Sequence, residues 1–81
     1  MSALSRPRIN RLYRLRSNRL LYPEGIVTLN PTAVKILSLC DGQRRIPEIK
    51  DIIFDEYGFS LQINRDINES FNLFYQNNWL I

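Results

Sequence analysis

The chain of 81 residues has no histidine and a single cysteine, Cys40. Without imidazole it cannot assemble a Ser-His-Asp triad, a Cys-His pair or an ordinary zinc site, which removes most hydrolase and metal chemistry. A lone cysteine finds no internal disulfide partner, so nothing asks for an oxidising compartment, and Cys40 reads as a small apolar core residue. The three glycines, Gly25, Gly42 and Gly58, are isolated and stand at element boundaries. No glycine-rich phosphate loop exists, and nucleotide chemistry is not expected. No apolar run approaches the ~20 residues of a membrane span, and Met1 to Arg19 lacks an apolar signal core, so a cytoplasmic protein without membrane association is expected.

Acidic charge is missing from the front of the chain. Arg6, Arg8, Arg11, Arg14, Arg16 and Arg19 all precede the first acid, Glu24, whereas the remainder holds five basic and eight acidic groups within a net charge of +3. A basic arm accelerates encounter with an acidic peptide, a protein or nucleic acid alike. At 44% hydrophobic and 23% charged, the chain has the composition of one ordinary globular domain in which every segment must feed a single core.

Residues 1–10 read as a flexible basic tail and 11–81 as the domain, with order starting near Arg11. Leu12 to Arg16 partly alternates between apolar and charged, Ser17-Asn18 offers a tight turn, and Arg19 to Tyr22 completes a hairpin. In Tyr22-Pro23-Glu24-Gly25 the proline presets a turn and the glycine is expected to take positive φ, launching a third strand from Ile26 to Leu29. Val27 and Leu29 should face the core, with Ile26 and Thr28 on the other face.

Asn30-Pro31 starts a helix that runs to about Leu39, with Ala33, Ile36, Leu37 and Cys40 inward and Lys35 and Ser38 outward. Asp41-Gly42 ends it. A second helix spans Ile46 to Tyr57, its stripe formed by Ile49, Ile53 and Tyr57 and widened by Ile52, and Gly58 stops it. A third runs from about Asn64 to Asn77, with Ile63, Ile67, Phe71 and Phe74 inside and Asn78 in positive φ at its end. Trp79-Leu80-Ile81 closes against the core. The order is that of an α+β protein, a three-stranded antiparallel sheet followed by three helices, compatible with a winged helix-turn-helix.

Asp51, Asp55 and Glu56 read as a solvated face of the second helix rather than an acid/base pair, and no catalytic residue or cofactor is expected. Binding remains. The outer edge of the third strand leaves backbone groups unpaired. On the third helix Leu73, beside Ser70 and Asn77, lies roughly 100° from the core stripe. It is a stray surface apolar residue or an extra core contact, or else the floor of a groove. An extended peptide that added itself to the strand edge would rest its side chains there.

Tyr13-Arg14-Leu15, Leu21-Tyr22-Pro23-Glu24-Gly25, Leu29-Asn30, Thr32-Ala33, Ile36-Leu37, Leu39, Asp41-Gly42, Asp66-Ile67 and Trp79, in that order, resemble the PqqD family (coenzyme PQQ synthesis protein D) over residues 11–81. The resemblance implies a winged-helix RiPP recognition element, a non-catalytic module that binds the precursor peptide PqqA and presents it to the radical SAM enzyme PqqE. It also implies a peptide site between the third strand and third helix, carried here by Ile26, Val27, Thr28, Leu29, Ser70, Leu73 and Asn77. The chain departs from the family pattern where Arg45 replaces a small hydroxyl residue capping the second helix and where Ser70 replaces a larger apolar residue. Three other readings fit the sequence: recognition of a different modified peptide, a winged-helix DNA-binding protein, and an adaptor that pairs edge strands with its own copy, so that monomer and homodimer are both open. Asp66 and Glu69 on the third helix argue against DNA, and no nucleic-acid partner is expected.

Overall fold

The computed structural model describes residues 5–81. Three strands, β1 (Arg14–Arg16), β2 (Arg19–Tyr22) and β3 (Gly25–Thr28), precede three helices, α1 (Pro31–Ser38), α2 (Ile46–Tyr57) and α3 (Leu61–Gln76). The sheet is antiparallel in the order β1-β2-β3. Its register pairs Leu15 with Leu20 and Leu20 with Val27, which sets a row of apolar side chains on the face that meets the helices. Leu20 is completely buried there and Val27 packs against the core.

Both hairpins close through two residues. The first loop, Ser17-Asn18, places Ser17 at a φ of +56°, whereas Gly25 does not take the expected positive φ. Gly25 instead pairs with Tyr22 inside the ladder, and a Cβ at this position would come within 3.4 Å of the Tyr22 hydroxyl. That is an ordinary contact with the end of a side chain, so neither space nor backbone angle demands glycine there.

Asn30 begins α1 by accepting a bond from the Ala33 N–H at 2.8 Å, and Pro31 follows without losing a needed donor. At α2, the Glu48 carboxylate accepts from the Arg45 N–H at 3.0 Å, while the guanidinium of Arg45 has no acceptor to return the favour. The third helix starts three residues earlier than its apolar stripe predicts, because the Ser60 hydroxyl accepts from the Ile63 N–H. Leu61 in its first turn is exposed and belongs to no stripe. Tyr57 also departs from expectation. It continues the Ile49–Ile53 spacing but stands 56% exposed, since the last turn of α2 runs past the core.

Of the expected flexible tail, residues 1–10, the stretch from Pro7 onward is tied to the domain. Residues 1–4 lie outside the described part, but Pro7 is fully buried and Arg8 and Ile9 bridge Asp41 and Leu80. Arg8 exchanges both backbone bonds with Ile81, at 3.1 and 2.9 Å, and the Asn10 N–H donates to the Trp79 carbonyl at 2.8 Å. The segment 7–10 is thus held by the last residues of the chain, with Trp79 stacked on Phe74 and Asn78 at a φ of +60° making the turn into this closure.

Ile36, Leu37, Ile49, Ile53, Ile67, Phe71 and Phe74 form the centre of the core, and Cys40 packs among them with its Sγ–H directed at the Ile36 carbonyl, 3.1 Å away. Burial, reinforced by the neighbouring Asp41 charge, pushes the Cys40 thiol up to about 12 from an ordinary 9.0. Unfolding releases that thiol to ionise, so this group's contribution to stability is intact below pH 9 and is lost as pH rises through about 12. The native thiol is expected to resist a thiol-specific disulfide reagent at pH 8 and to react at once in denaturant. Fast native labelling contradicts this packing.

Candidate functional site

β3 is an edge strand, and its ladder determines which of its backbone groups are free. In an antiparallel pair, hydrogen-bonded and non-bonded partners alternate. The Leu29 N–H donates to the Asn18 carbonyl at 2.7 Å, just beyond the Arg19–Thr28 pair. Counting back along the strand, Val27 and Gly25 also direct their N–H and C=O groups at β2, and Ile26 and Thr28 direct theirs away from it. Among the described residues no backbone bond outside the helices and strands uses Ile26 or Thr28. Two donors and two acceptors therefore stand open along this edge. The side chains follow the same alternation: Ile26 (59% exposed) and Thr28 lie on the outer face, Val27 is half-buried and Leu29 is buried.

Two residues beyond the end of this strand, Asn30 faces a wall of α3. Ser70 and Leu73 line an open cleft of about 400 Å³ together with Asn30, Thr32, Asp66 and Glu69. Asp66, Glu69, Ser70 and Leu73 share a helix face because three- and four-residue spacings bring side chains into line. Leu73 is 49% exposed and offers an apolar floor at one end, while the two carboxylates make the other end acidic. The Ser70 hydroxyl donates to the Asp66 carbonyl at 2.8 Å, and the Gln62 amide donates to the Asp66 carboxylate at 2.8 Å. The small Ser70 side chain, folded back on its own helix, leaves the middle of the cleft unfilled.

The seven residues expected to form the site are thus divided. Ser70 and Leu73 meet in one cleft, Ile26 and Thr28 occupy the open edge, and Val27 and Leu29 support the strand from the core side. Asn77 is exposed at the C-cap of α3, where its amide donates to the Leu73 carbonyl at 2.9 Å, and it does not line the cleft. Asn30 and Thr32 form the opposite wall, and the sequence carries no signal for that role. They read as a helix start, and only the folded chain turns them toward α3.

A narrower notch of about 160 Å³ lies alongside, lined by Pro31, Thr32, Lys35, Ile53, Tyr57, Ile63 and Asp66. It shares Thr32 and Asp66 with the cleft. At its rim Lys35 pairs with Glu56 at 2.7 Å, a hydrogen bond that raises the ammonium pKa.

Comparison with known proteins gives one consistent answer. The family model of coenzyme PQQ synthesis protein D (PqqD) matches residues 19–80. A PqqA binding protein of Methylococcus capsulatus is 41% identical over 61 residues, covering 75% of this chain and 64% of that protein. The PqqA binding protein of Rahnella aquatilis is 31% identical over 80 residues, covering 91% and 84% respectively. That of Klebsiella pneumoniae is 33% identical over 64 residues, covering 79% and 70%. The chain spans a little under two thirds of the Methylococcus relative's length. No solved structure matches.

Proposed function

We infer that this chain, which belongs to the coenzyme PQQ synthesis protein D (PqqD) family, binds a PqqA-type precursor peptide as a non-catalytic winged-helix module of the cytoplasm and presents it to a radical SAM enzyme of the PqqE type. The observation that carries this reading is the open edge of β3, where Ile26 and Thr28 turn their backbone groups away from β2, with the α3 cleft starting at Asn30, two residues beyond the strand. A guest strand satisfies those groups, and its alternate side chains fall toward Leu73 and Ser70. Main-chain bonds then supply affinity and the cleft supplies selection. The same arrangement supports presentation, since a peptide held along an edge keeps its other backbone side and its flanking residues accessible to an enzyme. Relatives named for PqqA binding support the peptide's identity. Among the described residues, no helix is long and apolar enough to cross a membrane.

Calorimetric titration of the chain with PqqA tests the proposal, and micromolar or tighter binding with one peptide per chain is expected. Duplex DNA is expected to give no heat beyond dilution, and DNA binding in the absence of peptide binding overturns the proposal. Leu73→Glu replaces the apolar floor by a third carboxylate beside Asp66 and Glu69. It should weaken the peptide by roughly 10-fold or more, the loss of one apolar contact plus desolvation of a charge. Because Leu73 is half exposed, the variant should melt close to the parent.

A further inference from the structure

The outer face of the sheet carries positive charge that the fold does not neutralise. Arg16 is paired with Arg19 across the first hairpin, and Arg19 with Thr28 across the second, so the three form one row that ends at the free edge of β3. All are exposed. Among the described residues neither arginine enters an ion pair; the pairs that form are Lys35–Glu56 and Arg44–Asp41. Like charges set directly opposite each other destabilise a sheet. The neighbouring outer row is different: Arg14, Leu21 and Ile26 end in an apolar side chain.

We propose that the Arg16–Arg19 row reads an acidic side chain on the guest strand, at the residue that pairs with Thr28. This rests on the peptide-binding reading above and specifies the chemistry of the guest. A strand added to β3 continues the sheet, so its residue opposite Thr28 stands in line with Arg19 and Arg16. Adjacent strands lie about 4.8 Å apart, which puts the guest backbone roughly 10 Å from β2. Arg19 and a glutamate or aspartate reach toward each other over the short Thr28 side chain. Arg19 and Thr28 are a non-hydrogen-bonded pair, the kind in which side chains stand closest. The guanidinium offers two parallel N–H bonds to the carboxylate, and Arg16 behind it strengthens the field. The neighbouring outward position of the guest, beside Ile26, is then apolar. The guest is an extended segment with an acid and an apolar residue on one face and side chains suited to the Leu73 cleft on the other.

The test is calorimetry on the full chain, R16Q and R19Q, with PqqA and with PqqA variants in which each Asp or Glu in turn becomes Asn or Gln. R19Q is expected to weaken binding by about 5- to 20-fold, the scale of an exposed charge-assisted hydrogen bond. One peptide variant should show the same loss, and combining it with R19Q should cost nothing more. The affinity of R19Q should also fall less steeply with salt than that of the parent. R19Q should melt no lower than the parent because it relieves repulsion; a lower melting point assigns Arg19 a structural role and counts against the proposal. Wild-type affinity in R16Q and R19Q, or losses that add in full for every peptide acid, overturns it while leaving peptide binding intact. A wild-type chain that does not bind PqqA overturns the peptide-binding reading itself, and this inference with it.

Discussion

Thr28→Pro is expected to yield a folded protein whose affinity for its peptide has dropped roughly 100-fold. Thr28 directs its N–H away from β2, so proline removes no bond from the ladder, and edge strands accept proline in that orientation. The guest loses a main-chain bond, about 1 kcal/mol, and keeps an unpaired carbonyl at a further cost of about 1–3 kcal/mol. Val27→Pro is the control. Val27 is one residue away but directs its N–H into the sheet, where proline breaks the pairing with Leu20. It should therefore lose fold and binding together, by circular dichroism and calorimetry. If Thr28→Pro binds peptide as the parent does, the edge is not the binding element.

The second large effect lies in the core. Phe71 is fully buried on α3, on the same stripe as Ile67 and Phe74. Phe71→Ala should cost about 3–5 kcal/mol, the lost transfer energy plus the cavity left behind. A domain of this size has a total stability of roughly 4–12 kcal/mol, so the variant sits near the limit of folding. Urea titration should show a midpoint lowered by a third or more with an unchanged slope. Leu73→Glu, two residues along the same helix, should barely move that midpoint. The contrast separates the face of α3 that holds the domain together from the face that receives the guest.

The same two faces mark what the sequence could tell. Helix period alone placed Phe71 and Phe74 inside and Leu73 outside, because 3.6-residue spacing allows no other arrangement once Ile67 is buried. The two-residue period similarly separated Ile26 and Thr28 from Val27 and Leu29. Other features depend on partners remote in sequence. Pro7 to Asn10 carries no periodic signal and is ordered by Trp79 to Ile81, at the other end of the chain. The start of α3 was missed because Ser60 caps a turn whose first residue, Leu61, contributes nothing to the core. Tyr57 continued an apolar pattern beyond the point where the core ends.

The candidate site is legible only in its helix side. Helical spacing brings Ser70 and Leu73 to one face, and the cleft they line has its far wall at Asn30 and Thr32 rather than at strand residues. A capping asparagine and the threonine behind a proline look like local punctuation until the fold brings α3 alongside. Asn77 shares the spacing of Ser70 and Leu73 but lies outside that cleft, with its amide bonded to the Leu73 carbonyl.

Amide hydrogen exchange, followed by NMR in the free chain and with saturating PqqA, tests the open edge most directly. Val27 and Leu29 should be protected in both states. Ile26 and Thr28 should exchange rapidly in the free chain and become protected when the peptide is added. Protection of Ile26 and Thr28 in the free monomer, or continued rapid exchange with the peptide bound, contradicts the account.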